Sequence, residues 1–216
     1  MEAKKKWDQL TEQHRGQLLE RHRVESVHDR WWDDVYEMFK GDMSAVGVHV
    51  ETIYFSGFWS QGDGACFEGH VADWTKFLNA LGRPDAARVM ADLEGCTGVR
   101  LIWNHSGHYY HEHCTAFVAD LAIDNPHDNA EQPLRHAAWE AMHGTDGPLA
   151  PLKDEFIKFL KDKMRDLYKQ LEEEHEYLSS GEVVTEYILE YEEGDIDELL
   201  DEQHEEQRIQ EEHAMI

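Results

Sequence analysis

The residues best suited to chemistry lie in Asn104-His-Ser-Gly-His-Tyr-Tyr-His-Glu-His-Cys114, where His105, His108, His111 and His113 put four imidazoles within nine residues. Neutral imidazole is a borderline ligand, and a set of three or four suits zinc. On a strand, alternation sends His111 and His113 to one face and Glu112 and Cys114 to the other, with His105 and His108 at a turn within reach of the first face. The constellation is a candidate zinc site, serving a metal-binding module or a metal-dependent enzyme. Against it, the spacing follows no standard zinc signature, no second ligand pair occurs, and fifteen histidines make local clusters expected by chance. A half-exposed strand whose imidazoles hydrogen-bond across a hairpin accounts for the same residues. The primary expectation is therefore no cofactor, with zinc as the alternative.

Other arrangements carry less. Gln61-Gly-Asp-Gly64 could offer backbone N–H groups to a phosphate, but it is neither a GxGxxG nor a Walker A loop, and no Lys follows it. A tight turn whose glycines take positive φ is the simpler reading. Cys66 and Cys114 alternate with apolar neighbours, as structural thiols do. Together with Cys96 they make an odd count without CxxC spacing, which points to a reducing cytoplasm. The start, MEAKKKWDQL, lacks the apolar stretch of a secretory signal. No apolar run reaches the roughly 20 residues that span a bilayer.

Charge is the feature that stands out. Residues 171–216 hold eighteen Asp or Glu side chains and one basic residue, Arg208, and so carry −17 of the total −26. Such a balance disfavours nucleic acid and anionic membranes as direct partners and favours cationic ones. If the segment is helical, it presents about one net charge per 4 Å. A nucleic-acid strand presents one phosphate per roughly 3.4 Å, so the segment could compete for a basic groove. A solvated, solubilising surface is the bland alternative.

The elements that position these groups read as α+β. Trp7, Leu10, His14, Leu18 and His22 stripe one amphipathic helix over 2–23, and Val27, Trp31, Val35 and Phe39 a second over about 27–40, ending at Gly41. Val48 to Trp59 and Ala65 to Val71 form a hairpin. Helices at 73–81 and 84–93 follow, then strands at 99–104 and 109–123 and a short helix at about 134–142. From Leu152 the pattern is strongly helical to Leu178. Ser179 with Glu182 forms a capping box for the next helix, in which Val184, Tyr187, Ile188 and Tyr191 make a docking stripe. Gly194 ends it, and beyond Asp201 the chain is expected to fray. The expectation is an antiparallel sheet of about four strands packed by N- and C-terminal helices. Residues 1–170 would form the body and 171–216 an acidic helical arm.

Three segments, Tyr54 to Gly69, Gly107 to Thr115 and Met164 to Ser180, resemble a family of small proteins carried by bacteriophages and prophages, some of which bear a toxin–antitoxin antitoxin label. The resemblance runs from about 30 to 193 and implies a phage gene product in the bacterial cytoplasm. It brings no catalytic residues. The sequence reading is a non-enzymatic phage accessory protein that binds and inhibits or neutralises a host protein with a basic, nucleic-acid-binding surface, such as a defence complex or toxin. Glu172, Glu173, Glu174, Glu176, Glu190, Glu192 and Glu193 would steer the partner, and Tyr177 and Tyr191 would supply contact area. A structural homodimer is a further alternative.

Overall fold

The computed structural model describes residues 2–88, 98–103, 109–112, 120–124 and 152–215. The fold is mixed α+β and mostly helical. Its contacts divide the chain into two units, Trp32–Glu172 and a second made of Met1–Trp31 with Glu173–Ile216. The N-terminal helices therefore group with the acidic C-terminal segment, whereas the sequence suggested that they belong to the body.

In the first unit, α1 (Asp33–Ala45) buries Val35, Phe39 and Met43, the i, i+4 spacing of an apolar stripe. It continues through Gly41 and gives way to Gly47, whose φ of +81° only glycine adopts without strain and whose missing Cβ leaves room for the Asp73 carbonyl. Strand β1 (Val48–Phe55) then pairs antiparallel with β2 (Ala65–Val71), and the register shifts between Val50 and Thr52. Opposite that bulge sits Gly69, where a Cβ would fall 2.0 Å from the His49 carbonyl oxygen. Helix α2 (Trp74–Ala80) is capped by Asp73, whose side chain accepts from the Lys76 N–H. Strands β3 (Gly98–Trp103) and β4 (Asp120–Asp124) pair antiparallel, and β3 meets β2 at two positions, Gly69↔Trp103 and His70↔Ile102.

Helix α3 (Leu152–Leu178) carries the boundary between the units. Within the first unit it buries Phe156, Leu160, Met164, Leu167 and Leu171. Phe77 packs edge-on against both Phe156 and Phe159, and Phe39 against Phe67, so an aromatic core joins helices and hairpin.

The second unit is a helical bundle. The stripe Trp7, Leu10, His14, Leu18 and His22 is buried throughout, yet it is divided between two helices, α4 (Glu2–Trp7) and α5 (Glu12–His22), with Leu10 in the turn that joins them. Thr11 breaks the run because its hydroxyl caps α5, accepting from the His14 N–H. The exposed Thr11 N–H and Gln9 carbonyl are then satisfied by one side chain: Gln203 Oε1 accepts from Thr11 at 2.8 Å, and its Nε2 donates to Gln9 at 3.1 Å. Helix α6 (Gly181–Tyr191) starts one residue later than the capping-box reading, with Ser180 rather than Ser179 accepting from Val183. It ends at Tyr191, and α7 (Glu193–Ala214) begins before Gly194 and runs helical past Asp201 to Ala214, where fraying was expected. Ala3, Trp7, Leu10 and Leu18 pack with Val184, Ile188, Ile196, Leu199 and Leu200 into one core.

Candidate functional site

The acidic segment is folded back on itself and on the N-terminal segment, which carries the unit's Lys and most of its Arg, so it is not a straight rod and the linear charge spacing does not carry over. Residues 1–31 bring seven Lys or Arg against six Asp or Glu, and residues 173–216 bring seventeen acidic residues against Arg208. The helical unit still nets −15.

The basic residues neutralise one inner row. Lys6 Nζ donates to Glu193 at 2.8 Å and reaches Asp197 at the same distance, and both carboxylates hold the ammonium well above its ordinary pKa. Arg21 donates to Asp195 at 3.1 Å and approaches Glu198. The buried His22 ring meets a carboxylate at each nitrogen, Glu25 at 2.6 Å and Asp195 at 2.8 Å. Arg21 first, and His22 after it, hold the Asp195 carboxyl below its usual range against an opposing push from burial. Tyr187 donates to Glu192 at 3.3 Å, and burial together with Glu192 raises its phenol.

The outer face is different. On α6, Val184 and Ile188 point inward. Glu182, Glu186 and Glu190 are exposed and offset from them by two residues, roughly 200° around the helix axis. Their spacing of four makes a single stripe about 12 Å long. Two of these three, Glu182 and Glu186, were missed from the sequence; the i, i+4, i+8 spacing was the signal that could have found them. Of the residues expected to contact a partner, Glu172, Glu173, Glu176, Tyr177, Glu190, Tyr191 and Glu193 are exposed, Tyr177 at 61% and Tyr191 at 65%. Glu174 is half-buried. Glu192 is half-buried and accepts from Tyr187, Glu193 is exposed but paired with Lys6, and Glu172 is exposed at the end of the other unit. Neighbouring His175 lies edge-on to Trp31 at 5.4 Å, and burial lowers its pKa.

Of the imidazoles considered for zinc, His105, His108 and His113 lie outside the described residues. His111 is half-exposed and pairs with the buried Glu112 at 3.1 Å. Residues 109–112 are not in a strand, so the alternation that put His111 on a common face with a neighbour does not apply to them. Among the described residues, His22, Glu192 and Asp195 bring ligand atoms within 4.8 Å of one another. The His22 nitrogens already face carboxylates there, and Arg21 supplies a positive charge to Asp195, so the cluster is satisfied internally and acts as a clasp between α5 and α7. In the Gly-rich turn considered for phosphate, Ser60 donates its N–H to Asp63 at 2.7 Å and Gly64 donates to Ser56. Gly62, at φ +97°, leaves room for the Tyr109 ring. These N–H groups hold the turn, as the simpler reading has it.

A family profile described as a domain of unknown function, DUF8835, matches residues 31–181. No curated protein and no solved structure matches the chain. The chain belongs to the DUF8835 family; the matched region holds the whole α+β unit, and α4, α5 and α7 fall outside it.

Proposed function

We propose that this protein is a non-enzymatic binding module that presents the acidic outer face of its helical unit to a partner protein with a basic surface, and blocks that surface. The carrying observation is the division of charge. Lys6, Arg21 and His22 engage the inner carboxylates, which leaves Glu182, Glu186 and Glu190 exposed in one row on a unit of net −15. Exposed Tyr177 and Tyr191 offer the large, rigid contact area that interfaces favour. Competition with nucleic acid for the partner's groove follows from the shared charge. The resemblance to phage-borne proteins would make the partner a host protein in the bacterial cytoplasm, such as a defence complex or toxin. We also read β3 and β4 as extending the hairpin's sheet to four strands, a scaffold for the matched region. No direct nucleic-acid or membrane contact enters this reading, and no helix is long and apolar enough to cross a membrane among the described residues.

The test is capture of partners from a bacterial host at low and at high salt, with duplex DNA as competitor, using the wild type and a triple variant Glu182→Gln, Glu186→Gln, Glu190→Gln. The triple variant folds normally, since these positions are exposed. Capture is expected to fall with added salt and with DNA, and to fall in the variant. Equal capture by both proteins, unaffected by salt, would refute the reading.

A second reading, a homodimer, draws on α7 alone. Beyond Gln203 every residue of that helix is exposed, Ile209 among them, as is Met215 just past its end. Removal of residues 204–216 spares the core at Leu199 and Leu200. Light scattering decides: a mass that halves on truncation supports a tail-driven dimer, and an unchanged mass rejects it.

A further inference from the structure

The α+β unit contains a cleft of about 510 Å³ whose walls include Trp32, Tyr36, Tyr54, Phe55, Gly57 and Tyr110. That volume is within the roughly 300–1,000 Å³ of small-molecule sites. Its construction is local. Trp32 and Tyr36 stand one turn apart at the start of α1, Tyr54 and Phe55 end β1, and the Tyr110 ring stacks on Tyr54 at 5.3 Å. Trp32 and Phe55 are tilted at 6.4 Å. Five aromatic rings thus converge on one space.

The surroundings select the charge of an occupant. Ring faces carry the negative lobe of their quadrupole and attract cations. Asp33 and Asp34 occupy the first turn of α1, where a helix end would otherwise favour an anion. Glu68 accepts the Tyr54 hydroxyl at 3.0 Å. Burial first, and then Asp33, push the Tyr36 phenol up to about 12, so it remains neutral. No Lys or Arg lines the cleft among the described residues. A nucleotide phosphate would find no counter-charge there, and the net charge of −26 opposes its approach.

We propose that this cleft binds an organic cation, a guanidinium or alkylated ammonium group, on its aromatic faces and in the field of Asp33 and Glu68. The site lies in the family-matched unit and does not depend on the acidic face of the helical unit. Its ligand could be a free small cation or an arginine side chain of a peptide, since the recognised chemistry is the same.

The experiment uses full-length protein labelled with 5-fluorotryptophan, with the Trp32 signal assigned through Trp32→Phe. Choline, N-acetylarginine amide, adenosine and 3,3-dimethylbutanol, the uncharged isostere of choline, are titrated separately. At least one cation should bind at least about tenfold tighter than the uncharged isostere, the scale of a desolvated cation–π contact. Choline as the better ligand points to a free small cation, and the arginine amide to a side chain. Tyr110→Ala, checked for an unchanged melting temperature, should weaken cation binding. Asp33→Asn, an alteration that removes no ring, should weaken cations and leave the isostere alone. Equal binding of choline and its isostere, tightest binding of adenosine, or no movement of the Trp32 signal by any probe overturns the proposal.

Discussion

Truncating Trp7 tests the idea that the acidic helices owe their fold to the basic N-terminus. Trp7 is 5% exposed and lies in a core with Ile188, Ile196, Leu199 and Leu200, and α4 packs against both α6 and α7. Replacing a buried Trp with Ala costs about 3–5 kcal/mol, through lost transfer energy and the cavity left behind. The lower figure is a large part of the roughly 5–15 kcal/mol that holds a domain together. Each 1.4 kcal/mol is tenfold in an equilibrium, so Trp7→Ala should raise amide exchange through the opening of this bundle by about a hundredfold or more. The readout is exchange mass spectrometry on peptides spanning α6 and residues 196–203 of α7. Val24→Ala, at an 81% exposed position, is the control and should change exchange by less than about threefold, within the ±0.5 kcal/mol usual for surface changes. Exchange in α6 and α7 that is the same in Trp7→Ala as in the control would show that these helices stand without α4, and would refute the packing argument.

Two further perturbations address other parts of the fold. Gly69→Ala forces a Cβ against the His49 carbonyl across the hairpin and should lower stability by about 1–3 kcal/mol, the range for overpacking; chemical denaturation that places it within 0.5 kcal/mol of the wild type would deny the close approach. Asp195→Asn probes the clasp with Arg21 and His22, near Glu192. Because the folded carboxyl sits below its ordinary value, its contribution is present above the unfolded pKa of about 3.9 and is lost as pH falls through the lower folded value. The wild type should therefore melt above the variant at pH 7, and the gap should close on acidification below about pH 4. A gap that stays constant to pH 2 would contradict the assignment.

Much of the local structure was legible because periodicity reports burial directly. The stripe Trp7 to His22 is buried where spacing put it, as are Phe156, Leu160, Met164, Leu167 and Leu171 of the long helical pattern and Val184 and Ile188 of the next. The second stripe held in part: Trp31, Val35 and Phe39 are buried, but the helix expected from about residue 27 begins at Asp33 and Val27 lies outside it. Strand β2 runs over the residues its alternation marked. Punctuation was harder. Thr11 starts a new helix inside an unbroken stripe, and its N–H is satisfied by Gln203, a partner 192 residues away. A window of a dozen residues holds no trace of such a pairing. Gly41 and Gly194 sit inside helices because tertiary packing outweighs the roughly 1 kcal/mol that glycine costs there. The candidate contacts fared unevenly for the same reason. Exposure of Tyr177 followed from its flanking acids, whereas Tyr191, placed in the docking stripe as well as among the partner contacts, is 65% exposed and does not dock. The pairing of Glu192 with Tyr187 and of Glu193 with Lys6 depended on where those side chains would lie.

The pairing of Lys6 and Arg21 with the inner carboxylates bears on why a surface so acidic can be built at all. Like charges about 4 Å apart in water repel by about 1 kcal/mol per pair, so seventeen acidic groups from the end of α3 through α6 and α7 would oppose their own packing. The N-terminal helices add Trp7, Leu10 and Leu18 to the core, and their cations lie against Glu193, Asp195, Asp197 and Glu198. Apolar burial and partial neutralisation thus come from the same two helices. The bundle gains stability from them without losing its outer row. The same reasoning predicts that adding positive charge to the outer row, for example Glu186→Lys, would stabilise the fold slightly and weaken the proposed binding, a separation that neutralising the inner row could not produce.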